Sequence, residues 1–338
     1  MQQEITKPTP ILGDDGHVVQ PGWARDDIFE YDRSKLAVNA FRVKEWDFWE
    51  VFNSKCRVVL NIFDIGLAGT AQFTYTDFEN KENIFEMMLT LFPKGKTGNP
   101  KSWKYTTPLV FKKGNSFMEF NREGETILLK CSFPKKGIEG EFRLQRKMKD
   151  DAMVNLIPFK DPKHFVYAVK LACMPATGTL KIKDQIIEFS EKNNSWGVLD
   201  WTRAVFPHKN KWKWCIACGK VNGVPLGSNL DYGFGTESAK NMIFYNGKGH
   251  HLNEIEYQHD VKNMNAPLKP TSKDNGVNLT LTPKYVEKTG VDIGLIAMKG
   301  FSTYGFFQGE LILDNGEKIK IEESDQVFGW AEQFYQKW

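Results

Sequence analysis

From Ala37 onward the apolar positions of the chain recur mostly at every second residue, in short runs closed by turn residues. Phe41, Val43, Glu45, Asp47, Trp49 and Val51 share one side of such a pattern, and Arg42, Lys44, Trp46, Phe48, Glu50 and Phe52 share the other. This is strand alternation, and since neither side is purely apolar, at least one should line something wet. Cys56–Phe63 is a nearly continuous apolar strand ending in Asp64-Ile65-Gly66, where the acid reads as a turn residue ahead of a functional one. Further strands are expected over Leu67–Phe78, Ile84–Phe92, Tyr105–Lys112, Ser116–Arg122, Thr126–Phe133, Gly140–Lys147 and His164–Cys173. They resume with hairpins over Trp196–Phe234, then Met242–Tyr245, Gly249–Tyr257, Val277–Thr282, Ile293–Phe301, Tyr304–Leu313 and Lys318–Ile321. Asn222-Gly223, Asn246-Gly247 and Asn315-Gly316 mark hairpin turns. Many short strands with little helical periodicity predict an all-β fold. The exception is the C-terminus, where Val327, Ala331, Phe334 and Trp338 repeat at helical spacing and predict one short amphipathic helix.

The densest chemistry lies in Asn194–Gly235, which gathers Trp196, Trp201, Trp212 and Trp214 around Asp200, Arg203, His208, Asn229, Asp231 and Tyr232. From Lys211 to Ala217, Trp212, Trp214 and Ile216 fall on one face of a strand and Lys211, Lys213 and Cys215 on the other. Rings beside a few charged groups suit a pocket wall. They equally suit a β-core in which Asp and Arg pair with each other. On the pocket reading, burial raises the Asp200 carboxyl and lowers the His208 imidazole towards neutrality, making Asp200 a proton donor and His208 its partner or base. Arg203 would hold an anionic group, Lys44, Glu45 and Asp47 would complete the pocket, and Trp201, Trp212 and Trp214 would wall it. Asn229, Tyr232, Asn241, Tyr245 and Tyr304 would orient the ligand.

Other chemistries find less support. Cys215 and Cys218 are three apart in a strand, so their sulfurs face opposite ways, and no second Cys pair completes a zinc site. His250, His251 and His259 read as surface or turn residues. No phosphate cradle or Gly-x-Ser-x-Gly elbow is found, and no cofactor or metal is expected. A net charge of +3 over 338 residues, with lysines and acids mixed throughout, argues against a nucleic-acid partner. No apolar run reaches the length of a membrane span, and the polar, proline-bearing N-terminus does not read as a secretory signal. Five dispersed cysteines fit free thiols in a reducing cytoplasm.

At this length two domains are expected. The polar stretch Lys149–Lys163, with Pro158 and Pro162, is the expected boundary: an irregular surface leader over 1–29, a first β-barrel over 30–155, and a second over 160–338 carrying the terminal helix. An echo supports the pairing. Asn61-Ile-Phe-Asp64-Ile-Gly66 and Asn229-Leu-Asp231-Tyr-Gly233 share an Asp-x-Gly ending, each a little under twenty residues after a Trp-rich strand.

The segments KEWDFWEVFN (Lys44–Asn53), FVYAVKLACMPATG (Phe165–Gly178), GVLDWTRAVFPHKNKWKW (Gly197–Trp214), and NLDYGFG with NMIFYNGKGHHL (Asn229–Leu252) resemble the bacterial family called domain of unknown function 2804. The opening ILGDDG…GWAR and the closing FGWAEQFYQKW extend the resemblance over essentially the whole chain. That family is similar in turn to carotenoid hydratase and attachment-type proteins, which implies two tandem lipocalin-like (calycin-like) β-barrels. The resemblance supplies no reaction. Three readings therefore stand: a cofactor-free hydratase, isomerase or lyase acting by acid–base chemistry on a hydrophobic or amphipathic small molecule; a non-catalytic carrier or sensor; and a structural protein with filled barrels. Oligomeric state stays open.

Overall fold

The computed structural model describes residues 3–233, 241–252, 254–258, 263–294 and 296–337. The chain runs β1 (Thr9–Pro10), β2 (Gly22–Ala24), β3 (Phe29–Glu30), β4 (Val43–Phe52), β5 (Cys56–Asp64), β6 (Ala68–Asp77), β7 (Glu82–Leu91), β8 (Leu109–Lys113), β9 (Ser116–Glu123), β10 (Thr126–Phe133), β11 (Ile138–Gln145) and β12 (Met153–Pro158). It continues through β13 (Phe165–Ile182), β14 (Gln185–Phe189), β15 (Trp196–Val205), β16 (Lys209–Val221), β17 (Val224–Tyr232), β18 (Asn241–Tyr245), β19 (Lys248–Leu252), β20 (Ile255–Gln258), β21 (Lys269–Ser272), β22 (Val277–Asp292), β23 (Ala297–Ile312), β24 (Lys318–Ile321) and β25 (Phe328–Lys337). Among the described residues helix is confined to short 3₁₀ turns, and no helix is long and apolar enough to cross a membrane.

Two large sheets, each wrapped around its own core, form tandem lipocalin-like barrels. The first follows the order β7-β6-β5-β4-β15-β13-β11-β10-β9-β8, and the second β19-β18-β17-β16-β25-β23-β22-β21-β20. Strand β13 serves two neighbourhoods. Its first half pairs with β12 and β15 and its second with β11 and β14, the register shifting between Leu171 and Met174. An irregularity there bends the strand round the barrel, and Cys173 takes a left-handed φ of 58°.

Lys149–Lys163, where the boundary was expected, carries β12, whose Met153, Val154 and Leu156 are fully buried between β13 and β2. The chain passes from first sheet to second between Val205 and Lys209. The leader also departs from expectation. Ile5, Ile11, Phe29 and Tyr31 are buried in the first core, so the N-terminal segment packs into the barrel instead of crossing its surface.

The C-terminal helix is not formed. Phe328–Lys337 is a central strand between β16 and β23. The segment FGWAEQFYQK satisfies a period of two as well as one of 3.6, with Phe328, Trp330, Glu332 and Phe334 on one face and Ala331 on the other. Aromatics favour the strand, and Gly329 decides it: a Cβ there would lie 2.0 Å from the Ile216 carbonyl oxygen, so the sheet needs a glycine at that close approach. Trp338 lies outside the described residues.

The outward faces of the two sheets meet along a seam. Phe52, Trp196 and Val198 from the first pack against Trp214, Ile216, Cys218, Tyr304, Phe328 and Trp330 from the second. Cys215 instead belongs to the second barrel's interior, so the two sulfurs of Cys215 and Cys218 do face opposite ways.

Candidate functional site

Strand alternation divides the candidate residues between two places. Glu45, Asp47, Trp201 and Arg203 point into the first barrel, whereas Phe48, Glu50 and Asp200 point into the seam. Arg203 and Asp47 are both fully buried and pair at 2.9 Å. Arg203 also donates to Pro100, Trp46 and Thr202 carbonyls, and its guanidinium lies 3.8 Å from the centre of a Trp201 ring. Asp47 further accepts from Asn99 and the Tyr105 hydroxyl, each at 2.8 Å. Glu45 is held by Tyr31 at 2.7 Å and by Arg33. Every donor of Arg203 is spent on the protein, so it holds the barrel together and grips no anionic ligand. The alternative reading, in which Asp200 pairs with Arg203, is likewise not realised, because residues three apart in β15 lie on opposite faces.

In the seam, Asp200 accepts from Lys170 Nζ at 2.7 Å and from Thr202 Oγ1 at 2.8 Å. Lys170 stands directly opposite on β13 and lies 4.2 Å from the centre of a Trp214 ring. Trp214 donates its indole N–H to Asn229 Oδ1 at 2.7 Å, and Asn229 in turn donates to Asp231 at 3.1 Å. Asn241 caps the Asp231 backbone N–H. Glu332, the neighbour of Trp214 on β25, accepts from the Trp212 indole at 2.8 Å. Deeper, Arg57 binds Glu50, Glu287 and the Tyr304 hydroxyl. The cluster thus unites Asp200, Trp212, Trp214, Asn229, Asn241 and Tyr304 from the sequence candidates with Lys170, Asp231, Glu332, Glu50 and Arg57.

Electrostatics set these acids apart. Burial pushes the Glu50 carboxyl up to about 8, opposed by Arg57 and reinforced by Glu287. Burial likewise raises Glu332 to about 7, against the Trp212 hydrogen bond and Lys170, and Asp231 to about 6, against Lys170. Asp231 Oδ1, Glu50 Oε1 and Asn61 Oδ1 are buried and find no hydrogen-bond partner among the described residues. Phe48, Trp212 and Glu332 are half-buried, which puts Glu332 at a solvent-accessible edge of the seam, while Asp231 and Glu50 are buried behind it. Three carboxyls that change charge near neutrality, beside an ion pair and stacked rings, can donate and accept protons to a bound molecule.

The remaining candidates lie elsewhere. His208 is exposed beyond the end of β15, whose last residue, Val205, already stands about 17 Å along the strand from Asp200. Lys44 donates to the Phe41 and Ile65 carbonyls at 2.6 and 3.0 Å at the end of the first barrel, and burial lowers it to about 8. Tyr232 is exposed beside Lys213, and Tyr245 packs on the second core. Asp64 is the turn residue expected, accepting from Gly66 N–H at 2.7 Å. His250 was expected at the surface but is buried in β19 against Asp314 at 2.6 Å, while His251 stacks on Trp23 at 5.0 Å and His259 lies outside the described residues. Among the described residues no group of three or more metal-ligating side chains converges.

A cavity of about 390 Å³ opens near the β13 irregularity, lined in part by Arg146, Asp150, Cys173, Lys220 and Phe244. Of its charged residues, Lys220 pairs with Glu191 at 3.3 Å and Arg146 donates to the Asp150 carbonyl, and it contains none of the three raised acids. The seam is the stronger site.

Lys170, Glu332, Glu50 and Arg57 were not singled out from sequence. Lys170 had a signal, a lone lysine within the apolar run FVYAVKLAC. Glu332 was hidden by the helical reading of its strand.

The sequence profile of the domain of unknown function DUF2804 matches residues 2–338. No curated protein is similar enough in sequence to be matched. Among solved structures, the chain is similar to kievitone hydratase from Nectria haematococca, with 12% identity over 86% of this chain and 88% of that one and a TM-score of 0.57. It is also similar to CghA (12% identity, 87% and 88% covered, TM-score 0.49) and to a Nitrosomonas europaea protein provisionally labelled AttH (10% identity, 90% and 95% covered, TM-score 0.48). At 12% identity the likeness to kievitone hydratase bears on the barrel fold alone.

Proposed function

The chain belongs to the DUF2804 family, and from that footing we propose that it is a cofactor-free acid–base enzyme whose substrate is an amphipathic small molecule bound in the seam between the barrels. The observation that carries this reading is a pair of raised carboxyls, Glu332 and Asp231, within the field of the Lys170–Asp200 ion pair, with a third, Glu50, acting on Glu332 from the side of Arg57. Glu332 is the proton donor, because it titrates at about 7 and sits at the accessible edge. Asp200, ion-paired to Lys170, is the acceptor. In an addition of water, Asp200 takes a proton from the water as its oxygen bonds to carbon, and Glu332 delivers its proton to the adjacent carbon; elimination runs the same transfers backwards.

The substrate class follows from charge and hydrogen-bonding capacity. With Glu332 and Glu50 holding their protons, Asp200, Asp231 and Glu287 still outnumber Lys170 and Arg57, so a carboxylate or phosphate would meet net repulsion. Unpartnered oxygens on Asp231, Glu50 and Asn61 call for a neutral molecule carrying hydroxyl groups. Phe48, Trp212 and Trp214 provide apolar faces.

The test starts with native mass spectrometry of protein purified from its own host. A retained neutral molecule is expected, lost in Trp214→Ala and kept in Glu332→Gln. Once it is identified, Glu332→Gln and Asp200→Asn should each bind it and fail to exchange its protons with D₂O. Exchange at the wild-type rate in both variants would refute the assignment, and retention unaffected by Trp214→Ala would move the site out of the seam.

A further inference from the structure

The outward face of the first sheet continues past the seam to its edge. Residues Phe48, Asn61, Gln72 and Met87 stand in direct register across β4, β5, β6 and β7. On the edge strand, Phe85, Met87 and Leu91 point outward at alternate positions and are 53%, 43% and 64% exposed. Beyond it Phe92 is 59% exposed and hydrogen-bonds through its backbone to Leu67, itself 38% exposed. Phe41 meets Phe92 edge to face at 6.5 Å. Apolar surface gathered in one place marks an interaction site, and an edge strand is ordinarily blunted instead of being dressed with phenylalanine and leucine.

The rim of this patch is basic. Lys94 Nζ lies 5.0 Å from the centre of the Phe41 ring, and Lys113 Nζ donates to the Leu89 carbonyl at 2.7 Å. Lys96 and Lys112 are exposed alongside. Of the strand's acids, Glu86 is taken by Lys136 at 2.8 Å and Glu82 stands at the far end.

We propose that this face docks on an anionic lipid surface, with Phe85, Met87, Leu91 and Phe92 entering the interfacial layer and Lys94, Lys96, Lys112 and Lys113 meeting headgroup phosphates. The charge pattern selects this occupant over a second copy of the chain. An isologous dimer would set the patch against itself and bring lysines against lysines, whereas an anionic bilayer complements them. The contact is peripheral and adds to the enzymatic reading without depending on it: docking would place the registered row from Met87 to Phe48 between lipid and seam, a path for an amphipathic substrate.

Flotation of the whole chain with vesicles tests the proposal. The protein should float with phosphatidylcholine–phosphatidylglycerol vesicles at low salt, remain behind with pure phosphatidylcholine, and be released from the anionic vesicles by high salt. Two double variants, Leu91→Ser with Phe92→Asn and Lys94→Asp with Lys96→Glu, should each weaken binding by about tenfold or more. Their melting temperatures should not change. Asn and Asp are chosen because Phe92 and Lys94 both take φ of 51°. Failure of the wild-type protein to float, or flotation of both variants like wild type, would overturn the proposal. So would a dimer in sedimentation that the first variant dissolves while vesicles bind nothing, which would make the second copy the occupant. Because these readouts use no substrate, they separate failure of docking from failure of the enzymatic reading.

Discussion

The two aspartates of the paired strands β4 and β15 make opposite predictions. Asp47 is fully buried and pairs with an equally buried Arg203. Replacing it with Asn keeps the shape but leaves the guanidinium uncompensated in the barrel interior, while the Tyr105 and Asn99 donors lose a charged acceptor. Breaking such a pair costs about 3–5 kcal/mol. Asp200 has a side chain 13% exposed at the seam edge. In Asp200→Asn, Lys170 keeps its Trp214 ring and still feels Asp231 and Glu332, so the loss should be about 1–2 kcal/mol.

With an unfolding entropy near 2 cal/mol/K per residue, a chain of this length melting as one unit loses about 1.4 °C per kcal/mol. Asp47→Asn should therefore lower the melting temperature by about 4–7 °C, and Asp200→Asn by about 1.5–3 °C. Scanning calorimetry or circular dichroism on the two variants side by side measures this. Equal losses, or a larger one in Asp200→Asn, would refute the assignment of Asp47 to structure and Asp200 to the site.

Two further outcomes follow from other parts of the fold. Glu50, Glu332 and Asp231 hold their protons in the folded chain to about 8, 7 and 6, whereas in the unfolded chain they lose them near pH 4. Between those values the folded state binds more protons, so these groups make stability fall as pH rises from about 4 to 8. Urea midpoints across that range should decline, and Glu332→Gln should make the decline between about 4 and 7 shallower by that one group's share; an unchanged slope in that variant contradicts its burial in the seam. Gly329→Ala distinguishes strand from helix at the C-terminus: a helix would be stabilised by the alanine, whereas contact with the Ile216 carbonyl should lower the melting temperature by about 4 °C or more.

The all-β architecture was legible because it rests on local chemistry. Asn222-Gly223 and Asn246-Gly247 adopt positive φ at both positions, as their dipeptides demand, and β4 keeps the alternation read from its side chains. The internal echo was legible only in outline. Both Asp-x-Gly endings close a strand with a left-handed glycine, yet Asp64 folds back on its own turn while Asp231 reaches Asn229 in the seam. What a residue does beyond its own strand depends on what another strand sets opposite it. Asp200 and Arg203 are neighbours in sequence, and only the pairing of β15 with β4 and β13 assigns one to Lys170 and the other to Asp47.

The same dependence explains which part of the site was hidden. Trp212 and Trp214 could be placed on one face from their spacing alone. The carboxyl beside them arrives from a strand more than a hundred residues downstream, in a segment where two periodicities competed. A helix would have turned Glu332 to solvent; as a strand, pinned by Gly329 against Ile216, it sets Glu332 next to Trp214 and under the field of Lys170 and Asp200. The glycine that fixes the last strand thereby also sets the acidity of the proposed proton donor. Displacement of the strand from Ile216 in Gly329→Ala should bring the Glu332 carboxyl back towards the ordinary range together with the fall in melting temperature.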